Sequence, residues 1–132
     1  MANDIYITST DREKIKETID KIYESNQTPD KCVLKLEDEL NRALLIDSKN
    51  IPQDIITMNS RVMLQLDSEE VEVSLVYPED ADLTEMKLSI FSPIGTAILG
   101  YREGDVIDWE VPSGISKIHI NKVLYQPEAA GV

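Results

Sequence analysis

Catalysis needs nucleophiles, bases or metal ligands within reach of one another, and this sequence supplies few of each. It has one histidine, His119, and one cysteine, Cys32. His119 stands between Lys117 and Asn121 on the outward side of a strand pattern, which makes it a surface residue rather than a base. Cys32 falls in the first turn of a helical pattern beside its apolar stripe, a packing position. The two give no nucleophile–base pair. A single cysteine also excludes an internal disulfide and a cysteine-built zinc site. Gly95, Gly100 and Gly104 lack the spacing and the following lysine of a phosphate-binding loop. Glu79, Asp80, Asp82 and Glu85 crowd one short segment, but without the spacing and glycine of a calcium loop, so it reads as solvated. No catalytic residue, metal or cofactor is expected, and the chain is not expected to be an enzyme.

The elements that position these residues follow from length, charge and periodicity. The 132 residues suffice for one domain, or one domain with a small appendage. With 42% apolar and 29% charged residues, the composition is that of an ordinary globular chain. There are 25 acids against 13 bases, a net charge of −12. Such a charge opposes phosphate backbones and anionic lipid, so direct DNA binding and membrane association are not expected. A protein partner with a basic surface fits better. No apolar run reaches the ~18 residues of a membrane span. Met1 to Thr10 shows no secretory-signal pattern. With the lone cysteine, this gives the expectation of a reducing cytoplasm.

The charge divides unevenly near Pro52. Residues 1–52 hold 11 acids and 8 bases, whereas residues 53–132 hold 14 acids and 5 bases. The periodicity changes at the same place, from helical to strand-like. Thr10 and Glu13 have capping-box spacing. Ile15, Ile19, Ile22 and Tyr23 then recur at helical intervals, predicting a helix to about Ser25. Thr28 suits the cap of a second helix and Pro29 its first turn. Val33, Leu36, Leu40, Ala43 and Leu44 mark one face of that helix up to about Ile46. Helices of roughly 15 and 18 residues would reach roughly 22–27 Å. Their narrow apolar stripe favours a two-stranded projection, anchored at its base, over helices lying flat on a sheet.

Beyond Pro52 the pattern is strand-rich. Ser60–Leu66 and Val71–Tyr77 make a hairpin around the turn Asp67–Glu70. The acidic loop Pro78–Glu85 leads to a short strand, Leu88–Phe91. Ser92 caps a short helix with Pro93 in its first turn, and Gly100 ends it. After the turn Glu103–Asp105 come a strand with Ile107, Trp109 and Val111 on one face and a last strand, Ile115–Tyr125. Ile118, Ile120 and Val123 of the last strand point inward. The fold class is therefore α+β. An N-terminal antiparallel helical hairpin, or short coiled coil, covers residues 1–52. A domain over residues 53–132 has an antiparallel sheet of about five strands and one short helix.

The stretch Leu88-Ser89-Ile90-Phe91-Ser92-Pro93-Ile94-Gly95-Thr96-Ala97-Ile98-Leu99-Gly100 resembles the C-terminal domain of the GreA/GreB transcript-cleavage factors. There too a strand leads through Ser-Pro into a short helix ending near glycine. Three further stretches are Thr57-Met58-Asn59-Ser60-Arg61-Val62, Leu75-Val76-Tyr77-Pro78 and Tyr125-Gln126-Pro127-Glu128-Ala129-Ala130-Gly131. With them the chain is more similar still to the Rnk family, named as regulators of nucleoside diphosphate kinase. The resemblance covers residues 54–131 closely and residues 1–50 loosely.

That resemblance implies an FKBP-like fold for the C-terminal domain and an N-terminal antiparallel coiled coil. It implies docking on RNA polymerase at the rim of the secondary channel, with the coiled coil pointing into the channel. The Gre docking loop corresponds to Ser92 and Pro93, flanked here by Phe91 and Ile94. Gre factors often carry an acidic or polar residue where this chain has Phe91, which as an exposed aromatic would serve as an anchor. Gre factors also place an Asp and a Glu at the coiled-coil tip, where they help hold a second Mg²⁺ for RNA hydrolysis. The tip here, with Glu24, Asn26, Gln27, Thr28 and Asp30, does not match that motif, and the arm is about half as long. The implied function is a polymerase-binding transcription regulator that competes with Gre-type factors and stimulates no cleavage. The alternatives are an active cleavage cofactor using Glu24 and Asp30, and an adaptor for another protein such as nucleoside diphosphate kinase. Prolyl isomerase activity is disfavoured, because one Trp and one Phe leave little for a proline pocket. A monomer is expected, although the arm's exposed seam, with Cys32 on it, offers a surface to a second copy.

Overall fold

The computed structural model describes residues 5–25, 28, 31–66, 69–111 and 114–131, and for residues 109–111 the backbone alone. It is a mixed helix-and-sheet architecture. In chain order it contains β1 (Tyr6–Thr8), α1 (Ser9–Glu24), α2 (Lys31–Arg42), β2 (Leu44–Ile46), β3 (Arg61–Leu66) and β4 (Glu69–Val76). Then follow β5 (Lys87–Ser89), α3 (Pro93–Ile98), β6 (Val106–Val111) and β7 (Gly114–Tyr125). A two-stranded parallel sheet joins β1 to β2, and a five-stranded sheet has the order β5-β4-β3-β7-β6. Among the described residues no helix is long and apolar enough to cross a membrane.

Both expected N-terminal helices form, with shifted ends. The cap of α1 is Thr8, not Thr10: its Oγ1 accepts the Asp11 N–H at 3.1 Å. The same cap-to-N3 spacing occurs two residues earlier, and β1 is what selects it. Ile15 and Ile19 are buried, Ile22 is half-buried and Tyr23 is exposed. In α2, Val33, Leu36 and Leu40 are buried. This helix ends at Arg42, not near Ile46, because Leu44–Ile46 pair with Tyr6–Thr8 and the Leu44 N–H donates to the Ile5 carbonyl at 2.9 Å. The run Leu44-Leu45-Ile46 carries no polar residue to mark its period, so a strand partner decides its conformation. The expected cap Thr28 precedes α2, and Pro29, expected in its first turn, lies outside the described residues.

The five-stranded sheet follows the alternation read from sequence. Val62, Leu64, Val73, Leu75, Ile118 and Ile120 are buried on one face. The other face carries the exposed pairs Arg61–Glu72 at 3.5 Å and Lys117–Asp108 at 2.7 Å. His119 is exposed, as expected, opposite Gln65. Ile107 is buried, while the side chains of Trp109 and Val111 lie outside the described residues. The sheet is not wholly antiparallel: β5 runs parallel to β4. The acidic segment between them makes two single turns of 3-10 helix, Pro78–Asp80 and Leu83–Glu85, and brings the chain back beside Ser74–Val76 at the end of β4. Glu79–Met86 are all exposed, and Asp82 caps the second turn by accepting the Thr84 N–H.

One hydrophobic cluster takes in Ile15, Ile19, Val33, Leu36 and Leu40 together with Ile56, Met58, Leu64, Leu75, Ile90 and Ile98. The inner faces of α1 and α2 thus share a core with the sheet. Two seams fix this arrangement. The first is Gly100, whose N–H donates to Ile56 O at 3.0 Å and whose carbonyl accepts the Tyr6 N–H at 3.1 Å. Its φ is +84°, and a Cβ there would lie 2.8 Å from Ile5 Cβ. Only glycine meets both conditions.

The second seam is polar. Asp11 on α1 is 8% exposed, and its Oδ2 accepts the Met58 N–H at 3.1 Å. Beside it, Thr57 Oγ1 contacts Ser60 Oγ at 2.9 Å and donates to Glu128 Oε1 at 2.7 Å. Gln126 Nε2 donates to the Pro52 and Ile55 carbonyls at 2.9 and 2.7 Å. The C-terminal turn is thereby tied to the loop entering β3. Burial pushes the Asp11 carboxyl up to about 6, with the Glu128 charge adding to it. The Met58 N–H, Thr8 and Lys14 pull the other way. Tyr77 is buried nearby with Lys14 over its ring at 5.4 Å, and burial, Asp11 and Glu128 all raise its hydroxyl.

Two predictions follow from these seams. Gly100→Ala costs at least about 2 kcal/mol through strain and overpacking, read as a lower denaturant midpoint at unchanged slope. A buried acid whose folded value rises from 3.8 to about 6 favours folding fully below 3.8 and loses that contribution as pH rises through about 6. Asp11→Asn keeps an acceptor for Met58 and removes the titration. Its stability relative to wild type should rise between pH 4 and 7.5 by up to about 3 kcal/mol, measured by chemical denaturation. A constant difference over that range would show that Asp11 is not the titrating group.

Candidate docking surface

The segment from Ser89 to Gly100 is held by its own side chains. β5 ends where the Ile90 N–H donates to Val76 O at 2.8 Å. The Phe91 N–H then donates to Ser89 Oγ at 3.0 Å, and the Ser92 N–H to Ser89 O at 2.9 Å. Ser92 Oγ donates to the same carbonyl at 2.7 Å and accepts the Gly95 N–H at 3.1 Å. One hydroxyl therefore closes the turn and caps α3, of which only the cap was expected from its sequence position. Pro93 follows in the first turn, where no N–H is required. Thr96 Oγ1 donates to Ile90 O at 2.7 Å, tying the helix back to the strand end. A Cβ on Gly95 would collide with the Ser89 carbonyl oxygen, so the helix can lie this close to the strand only with glycine there.

Of the four residues singled out from sequence, Pro93 is exposed while Phe91, Ser92 and Ile94 are half-buried. Phe91 and Ile94 pack against the hydrophobic core. Phe91 is therefore not the free aromatic anchor the sequence reading gave it. It braces the turn from below, and the outward surface is formed around Pro93 and the partly accessible edges of its neighbours. α3 packs against α2 and β6, so this surface sits beside the helical part of the molecule.

The second group of residues is less assembled. Glu24 is the last residue of α1 and is exposed, as is Thr28. Asn26, Gln27 and Asp30 lie outside the described residues. The clearest polar link between the helices is Tyr23 Oη donating to Glu37 Oε1 at 2.7 Å. Lys16, Ile19 and Asp20 line one groove with Glu37, Leu40 and Asn41. Sequence reasoning missed Asp11 and Gln126, because what each bonds to lies 47 to 74 residues away. Only the spacing Thr8-x-x-Asp11 hinted at a polar start to α1.

The turn's geometry separates its residues experimentally. Ser92→Ala should cost about 1 kcal/mol as a lost cap. Gly95→Ala should cost at least about 2 kcal/mol, because backbone rather than a flexible side chain must yield. Pro93→Ala should stay within about 0.5 kcal/mol of wild type, as an exposed position. Thermal melts of the three variants check the order; a Gly95→Ala protein as stable as wild type would contradict the close approach.

Residues 51–125 match the family described as transcription elongation factor, GreA/GreB, C-term. The regulator of nucleoside diphosphate kinase from Escherichia coli (strain K12) is 43% identical over 99 residues, which is 73% of each chain. Transcription elongation factor GreA from Clostridium botulinum (strain Alaska E43 / Type E3) is 42% identical over 90 residues. That alignment takes in 67% of this chain but only 56% of the GreA chain, so the present chain spans little more than half of that relative's length. Among solved structures, the prokaryotic transcription elongation factor GreA/GreB from Nitrosomonas europaea superposes with a TM-score of 0.74 at 36% identity. The superposition covers 92% of this chain and all of that one. Matched over more than half its length, and in the segment that builds the sheet and the Ser-Pro turn, the chain belongs to the GreA/GreB C-terminal domain family.

Proposed function

We propose that the protein is an RNA polymerase-binding regulator of transcription. It docks at the rim of the secondary channel through Phe91, Ser92, Pro93 and Ile94, and it competes there with Gre-type factors. In this reading residues 53–132 form the FKBP-like docking domain. Residues 1–52 form a short antiparallel hairpin directed at the channel, with Glu24, Asn26, Gln27, Thr28 and Asp30 at its tip. The reading rests above all on the rigid Ser-Pro turn in a chain of this family. A hydroxyl that both closes the turn and caps α3 presents Pro93 on a preorganised surface, which lowers the entropic cost of docking.

The same reading makes the protein a competitor rather than a cleavage cofactor. α1 has 16 residues and α2 has 12, so they reach only roughly 24 and 18 Å. Part of that length lies over the core. A carboxylate at the end of such an arm stops short of a distant metal. The net charge of −12 steers the protein toward a basic surface, so its association should weaken with salt. A second reading, an adaptor for nucleoside diphosphate kinase, draws on the name of the 43% identical relative.

Competition against a labelled Gre factor on core RNA polymerase tests the proposal. Wild type should displace the label, Pro93→Ala should do so several-fold less well at unchanged melting temperature, and Ser92→Ala/Pro93→Ala less well again. Transcript cleavage in a backtracked complex should be inhibited, not stimulated. No displacement well above micromolar concentration would discard polymerase docking and leave the adaptor reading, which a pull-down with the purified kinase then decides. Stimulated cleavage would instead give the tip carboxylates a metal role.

A further inference from the structure

The outward face of the sheet carries a row of side chains that the docking proposal does not use. Arg61 on β3 lies directly opposite Ser74 on β4, and Ser74 lies directly opposite Lys87 on β5. On its other side Arg61 pairs with Tyr125 of β7. Residues paired across neighbouring strands project from the same face. Val62, Val73, Leu75 and Leu88, the next residues along these strands, are buried on the inner face, so Lys87, Ser74, Arg61 and Tyr125 project outward. A bulge sets the last member of the row. The register shifts between Arg61 and Val62, which places Tyr125 rather than Leu124 opposite Arg61. Tyr125 is 39% exposed there.

Arg61, Ser74 and Tyr125 line a cavity of about 260 Å³ together with Asn59. All four side chains carry N–H or O–H donors, and no acid is among them. Among the described residues the side chains of Asn59, Ser74 and Tyr125 make no hydrogen bond. Lys87 is exposed and makes no ion pair among those residues. Asp82, bridged to Lys87 through the backbone, turns its Oδ1 onto the Thr84 N–H instead. Glu72 approaches Arg61 at Nε, at 3.5 Å, which leaves the terminal nitrogens of the guanidinium for another partner. In a chain of net charge −12, this row is a local reversal of sign.

We propose that the row binds the phosphate group of a small phosphorylated molecule that also carries a planar ring. Neighbouring strands lie ~4.8 Å apart, so Lys87 and Arg61 stand about 10 Å apart at the backbone with Ser74 between them. Their long side chains close from both sides on one oxyanion seated above the Ser74 hydroxyl. A phosphate offers three acceptor oxygens and nearly two charges to donors that come from different directions, whereas a carboxylate offers two oxygens in one plane. Tyr125 lies one strand beyond Arg61, so a ring joined to the phosphate through a sugar-sized spacer reaches its face. The overall charge opposes a long phosphate backbone. A single phosphate at the row is screened from acids more than about 10 Å away. The inference needs no polymerase contact and stands or falls separately from the docking proposal.

The test titrates the full chain, labelled with ¹⁵N, with adenosine 5′-monophosphate, inorganic phosphate, adenosine and acetate. The nucleotide should give saturable shifts at residues 59–61, 74, 87 and 125. Inorganic phosphate should shift the same residues with several-fold weaker affinity, and adenosine and acetate should not saturate. Arg61→Gln and Lys87→Gln should each weaken the nucleotide about fivefold to tenfold. Tyr125→Leu should weaken the nucleotide several-fold and leave inorganic phosphate within about twofold, which separates the ring from the phosphate. Glu72→Gln frees Arg61 and should strengthen both about twofold to fivefold. Adenosine matching the nucleotide, or acetate matching inorganic phosphate, would overturn the proposal. So would nucleotide binding unchanged in both cation variants with folded spectra, or no saturation by about 10 mM.

Discussion

The arrangement of this molecule depends on how closely the backbone of β1 can approach the end of α3. At Gly100 one peptide unit serves both sides, its N–H bonded to the loop before β3 and its carbonyl to the N-terminal strand. The absence of a side chain allows the contact, and the left-handed conformation turns the chain to make it. Without it β1 would lose its place, and β2 its partner. The helices between them would then meet the sheet at an angle set only by apolar packing, which is non-directional.

Direction comes from the polar seam. Burying the Asp11 carboxyl costs stability at neutral pH, as its raised titration states, yet Met58 and Thr8 give it specific partners. A buried polar group with defined partners weakens the fold while selecting one orientation of α1 over its neighbours in angle. Thr57, Ser60, Glu128 and Gln126 extend that selection to the C-terminal turn. The orientation of the helices relative to the Ser-Pro turn is therefore set by hydrogen bonds.

The family resemblance has a physical reading in the same terms. The segment matched to the family contains residues the sheet and turn cannot do without: Ser92 as closure and cap, Gly95 where the helix meets the strand, Gly100 at the seam. The helical part is under no such constraint. Helices can change length by whole turns without disturbing the sheet; here they have 16 and 12 residues, with their apolar faces in the common core.

Much of this was legible from the residues alone. The period-two runs around Val62, Val73 and Ile118 and the period-3.6 runs around Ile15 and Leu36 fixed strand and helix, because one buried face imposes a repeat on each. Ser92-Pro93 announced α3, because capping is a local interaction between neighbours in sequence. The misreadings share a cause. Leu44-Leu45-Ile46 became a strand through Tyr6–Thr8, and Phe91 turned inward onto the core. β5 ran parallel because two short turns carried the chain back. Asp11 and Gln126 found partners on loops far along the chain. Local chemistry and periodicity were thus determined by the sequence itself. Pairing, register between distant segments and the placement of single polar groups were decided only when the tertiary fold brought remote backbone within hydrogen-bonding distance.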